Sequence, residues 1–68
     1  MITLEIDQQE EINNIMKYAM RSIAEDDKEL AEEYLRDAAY LINKYIDNTA
    51  EREQYAAKFT INPLDYAA

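Results

Sequence analysis

The stretch Glu25–Asp47, EDDKELAEEYLRDAAYLINKYID, decides the fold. Its apolar residues Leu30, Ala31, Tyr34, Leu35, Ala38, Leu41, Ile42 and Tyr45 recur at helical spacing. At about 100° per residue they gather along one side of an α-helix. Ala39 and Ile46 widen that arc, and so broad an apolar surface predicts packing against more than one neighbour. Asp26 followed three residues later by Glu29 reads as a capping box, with acids crowding the first turn where the helix dipole favours negative charge. The helix is therefore predicted to start after Asp26 and to run to about residue 46.

Upstream, Asp7 and Glu10 repeat the capping-box spacing, and Ile12, Ile15, Met16, Ala19, Met20 and Ile23 form a stripe. Asn13, Asn14, Lys17 and Arg21 fall opposite it, which predicts a helix over about residues 8–24. The short EDD connection makes the two helices an antiparallel hairpin. Downstream, Asn48 with Glu51 predicts a third helix over about residues 49–58 that buries Tyr55, Ala56 and Phe59. Asn62 precedes Pro63 and so leaves the helical path, with a last turn allowed by proline at its first position. Ile2, Leu4 and Ile6 alternate as in a short strand, which leaves open either an extended N-terminal arm over the bundle beside Phe59 to Ile61 or a bundle without one. The expected fold is one all-α domain over residues 1–68, a three-helix bundle built on an antiparallel hairpin with or without that arm.

A chain of 68 residues buries only about 60% of the surface its unfolded form exposes. Cysteine and histidine are both absent, so neither a disulfide nor a zinc staple adds stability. Tight packing, self-association or a partner must supply it. Fifteen Asp and Glu against seven Lys and Arg give a net charge of −8, the wrong sign for direct binding to nucleic acid or to an anionic membrane. No apolar run approaches the about 20 residues of a membrane span. The start MITLEIDQQEE has neither the basic nor the apolar region of a signal peptide, so a soluble, cytoplasmic protein is expected.

Catalysis is hard to assemble from this inventory. The commonest general base and the readiest nucleophile are both missing, and Ser22 is the only serine. No glycine exists to build a phosphate-cradling loop. Glu29 and Glu32 make a single Glu-x-x-Glu step, and one such step does not chelate a cation. No enzyme activity, metal or cofactor is expected.

Tyr40 is the residue out of pattern, a ring placed where the middle helix should meet solvent. Glu29, Glu32, Glu33, Arg36 and Asp37 share its polar side, with Arg36 expected to prop the ring by a cation–π contact. Tyrosine anchors interfaces, and surrounding carboxylates steer association with a basic surface. In size, acidity and helicity the chain resembles small phage proteins that imitate DNA or block host enzymes. That resemblance implies an inhibitory or nucleic-acid-mimicking role against a protein partner with a basic surface. The alternative is a self-associating, homodimeric bundle with a structural or regulatory role, its seam running through Leu35, Ile42 and Ile46.

Overall fold

Side-chain caps and helical periodicity produce three helices and one short final turn. The computed structural model describes residues 4–67. Helix α1 spans Ile6–Ala24, α2 spans Lys28–Tyr45, α3 spans Thr49–Ala56, and a 3-10 turn, η1, spans Pro63–Tyr66. The protein is all-α, and α1 and α2 pack together as the antiparallel hairpin. No strand occurs among the described residues.

The N-terminal alternation is described only in part. Helix α1 begins at Ile6, which is 73% exposed, so the alternation of Leu4 and Ile6 does not make a strand. Ile2 lies outside the described residues. The cap is Glu5, not Asp7: the Gln8 side-chain oxygen accepts from the Glu5 backbone N–H at 3.2 Å. Gln9 donates through Nε2 to the Leu4 carbonyl at 3.1 Å. Leu4, held this way, is buried in the core, and that burial favours an earlier helix start over the later cap.

The α1–α2 turn solves a problem posed by the missing glycine. Asp26 takes φ of 61°, in the left-handed region. Asp27 N–H donates to the Ser22 carbonyl at 2.8 Å and Asp26 N–H to the Ile23 carbonyl at 3.0 Å. This is the Schellman closure that glycine usually serves. Aspartate tolerates the conformation better than most residues do. With Asp26 taken by the turn, Asp27 becomes the cap of α2 and accepts from the Leu30 N–H at 3.2 Å. Asp26→Gly should raise stability by about 1 kcal/mol, less the small cost of glycine's freer unfolded state. A urea midpoint that does not move upward would contradict this.

The later caps follow expectation. Asn48 accepts from the Glu51 N–H at 3.0 Å, and Asn62 accepts from the Leu64 N–H at 2.9 Å with Pro63 at the head of η1. Helix α3 is shorter than expected, because the chain tightens past Ala56: the N–H groups of Lys58 and Phe59 reach back to Tyr55 and Ala56.

Two layers result, with the hairpin as one and the segment from Tyr55 to Ala67 as the other. Met16 and Met20 of α1 share a hollow with Phe59. Ile23, Ala31 and Leu35 share another with Tyr66. The second neighbour of α2 is thus chiefly η1, with α3 touching both. The core joins Leu4, Ile12, Met16, Ala19, Leu35, Ala38, Ile42, Ile46, Tyr55 and Ala56. Among the described residues no helix is long and apolar enough to cross a membrane.

Tyr55 is buried and meets the Phe59 ring edge-on, with centroids 5.5 Å apart. Among the described residues its hydroxyl finds no hydrogen-bond partner. Burial pushes its phenol above the ordinary value of 10.0. A buried hydroxyl without a partner costs about 1–3 kcal/mol, so Tyr55→Phe should be neutral or should stabilise by about 1 kcal/mol. Because the folded phenol titrates higher than the unfolded one, its contribution is complete below about pH 10 and is lost as pH rises through the folded value. Stability of the parent should therefore fall above that pH, and Tyr55→Phe should flatten the decline. Equal alkaline slopes for the two proteins would refute the assignment.

Candidate functional site

Helix α2 carries the candidate face on its solvent side. Glu29, Glu32, Glu33, Arg36, Asp37 and Tyr40 are all exposed. They span an arc of about 140° around the helix and about 16 Å along it. The pattern that buries Ala31, Leu35, Ala38, Ala39 and Ile42 forces these six outward, since one helix has only two sides to divide. Glu29 lies in the first turn and Lys44 in the last, each at the end where the dipole favours its charge.

Tyr40 is 64% exposed. The cation beside its ring is Lys44, whose Nζ stands 6.0 Å from the ring centroid and 5.9 Å from that of Tyr45. That corrects the expectation of Arg36, and the step from Tyr40 to Lys44 is the four-residue spacing that stacks side chains on a helix. Arg36 instead lines a shallow groove with Ala39, Tyr40, Asn43 and Ala67. The C-terminal segment therefore borders the tyrosine without covering it.

Leu35, Ile42 and Ile46 stand differently. They are 1%, 0% and 0% exposed, inside the chain's own core. A two-fold seam through them has no surface to use in the folded chain, because α1 and the C-terminal segment already cover that side of α2.

A second concavity, missed in the sequence, opens at the far end of the hairpin between Asp7, Gln8, Glu10, Glu11, Asn14 and Tyr45. Tyr45 donates its hydroxyl to Glu11 Oε1 at 2.6 Å. That hydrogen bond, more than burial, pushes the Tyr45 phenol above its ordinary value. The signal was cross-helix register, which the length of one turn sets and which no single helix reveals. Among the described residues no group of three or more carboxylates is placed to hold a metal ion.

What the α2 face can do chemically is recognition: charge, hydrogen-bond acceptance and one aromatic anchor on a rigid helix. No protein-family model, curated protein or solved structure matches this chain.

Proposed function

We propose that the protein is a binding module that sets the outer face of α2 on a basic site of a partner protein inside the cell. It would act there as an inhibitor or nucleic-acid mimic of the kind that phages and mobile elements carry. The observation that carries this reading is Tyr40, 64% exposed among Glu29, Glu32, Glu33 and Asp37, which are exposed as well. A ring held in water amid carboxylates on a rigid helix suits an interface anchor. The acids accelerate encounter with positive charge and make the complex sensitive to salt. The net charge of −8 acts in the same direction over the whole molecule.

The test is affinity capture from a bacterial lysate, eluting with salt and identifying the eluate. Tyr40→Ala should weaken capture by about tenfold or more, as loss of an interface anchor does. Glu29→Lys, Glu32→Lys and Glu33→Lys together should weaken it further and flatten its salt dependence. Circular dichroism should stay unchanged throughout, since every substituted residue is exposed. Short duplex DNA should compete for the captured protein if the face imitates nucleic acid. Capture indifferent to both sets of substitutions would remove the reading.

A further inference from the structure

The hairpin has a second side, away from the hollows where Phe59 and Tyr66 sit. Ile15 and Tyr18 of α1 and Leu30, Tyr34, Leu41 and Tyr45 of α2 lie along it. The Tyr18 and Tyr34 rings meet across the helices with centroids 5.8 Å apart, and the Tyr45–Glu11 hydrogen bond ties the far end. Tyr18 is 49% exposed and Leu30 36%. Ile15, Tyr34, Leu41 and Tyr45 are half-buried, each with one side against the core. None of the six lines the hollows that hold Phe59, Tyr66 or Ala67. Three tyrosines with aliphatic residues between them are the composition of an interface centre, not of a solvated surface.

The charges around this apolar strip say what would cover it. Arg21 on α1 and Glu33 on α2 stand near the turn end of the hairpin, and Glu11 on α1 and Lys44 on α2 near the open end, all exposed. Each cation thus lies diagonally across from the other, with an acid at each remaining corner. A uniformly basic partner would meet two of the corners with like charge. A second copy related by a two-fold axis along the seam meets these four with opposite charge, while Glu25, exposed one turn from Arg21, meets the acids of α2 with like charge. The rotation lays α1 of one copy over α2 of the other, setting Arg21 against Glu33 and Asp37, and Lys44 against Glu11. Symmetry makes each of these contacts twice.

We propose that this side of the hairpin is the seam of a homodimer, a four-helix bundle of two α1–α2 hairpins centred on Tyr18, Tyr34 and Leu41. The proposal does not depend on the docking reading, although Glu33 and Asp37 border both faces. Two helices of this length side by side offer about 500 Å² per copy, below the about 800 Å² of a standard interface. Like net charge also opposes association. The dimer is accordingly reversible and dependent on concentration.

Light scattering on the full chain from about 10 µM to about 1 mM should show the mass rising from 8.0 kDa toward twice that value. Arg21→Glu and Tyr18→Ser should each weaken association by about tenfold or more. Adding Glu33→Arg to Arg21→Glu exchanges the charges and should recover most of the loss, whereas Tyr40→Ala should leave the mass unchanged. In the unsubstituted chain, amide shifts at Tyr18, Tyr34 and Leu41 should move on dilution while those at Tyr40 stay fixed, a readout that no misfolded variant can confuse. A mass of 8.0 kDa at the highest concentration overturns the proposal. So does a dimer indifferent to Arg21→Glu and Tyr18→Ser, or an exchange that recovers nothing.

Discussion

Ile42→Ala should cost about 2–5 kcal/mol, the usual range for removing most of a fully buried aliphatic side chain. A domain of 68 residues holds only about 3–10 kcal/mol in total. At the lower end of that range the substitution leaves an appreciable fraction of the chain unfolded at room temperature. Ile42 is 0% exposed and sits in the core shared by the hairpin and the C-terminal layer. Its loss leaves a cavity in that core. Ile42→Val should cost only about 0.5–1.5 kcal/mol, because one methyl group goes and the branch at Cβ stays. Urea unfolding followed by circular dichroism gives both values, and a loss under about 1 kcal/mol for alanine would mean that Ile42 is not central to packing.

Arg52→Met should be the next most damaging change, at about 2 kcal/mol. Arg52 lies on α3 but serves α2: Nε donates to the Ile46 carbonyl and Nη2 to the Asn43 carbonyl, the latter at 3.2 Å. The last carbonyls of a helix have no partner within it, and a cation there also offsets the negative end of the dipole. One guanidinium thus closes α2 and fastens α3 to it. That fastening matters because α3 is short and touches little else. Methionine keeps the apolar stem and removes the donors. Lysine should restore only part of the loss, since a single ammonium cannot reproduce the fork that spans two carbonyls. Amide exchange should quicken in α3 before it quickens in α1, and uniform acceleration across the chain would argue against a local clamp.

Much of the fold could be read in advance, and each miss has a physical cause. The stripes Ile12, Met16, Ala19 and Leu35, Ala38, Ile42 are buried where periodicity puts them, because a helix turns by a constant angle. Asn48 and Asn62 cap where they should, because Glu51 stands three residues after the one and Pro63 directly after the other. Asp26 and Asp27 compete for the cap of α2. The choice fell to Asp27 once the reversal needed a residue at positive φ. Asp7 lost to Glu5 and Gln8 for a similar reason, since burying Leu4 moved the helix start upstream.

The candidate face divides in the same way. The polar side of α2 was legible because its opposite side is so thoroughly apolar, whereas the exposure of Tyr40 was not, because it depended on where the C-terminal segment came to lie. The cation beside Tyr40 was not, because Arg36 and Lys44 are both one turn away, and a rotamer, not a spacing, selects between them. Leu35, Ile42 and Ile46 carry the same apolar character whether they meet a second chain or their own C-terminus.

By itself the order of residues determined how many helices form, where side chains end them, and which side of α2 stays in water. These follow from dihedral preferences, caps and periodicity, all settled within a few residues. Only the tertiary structure decided that Leu35, Ile42 and Ile46 are buried within the chain's own core. It alone set Arg52 at the end of α2, joined Tyr45 to Glu11, and left Tyr18 beside Tyr34 on the second side of the hairpin. Those contacts depend on how helices of given length meet after a turn, and that register is a property of the packed molecule.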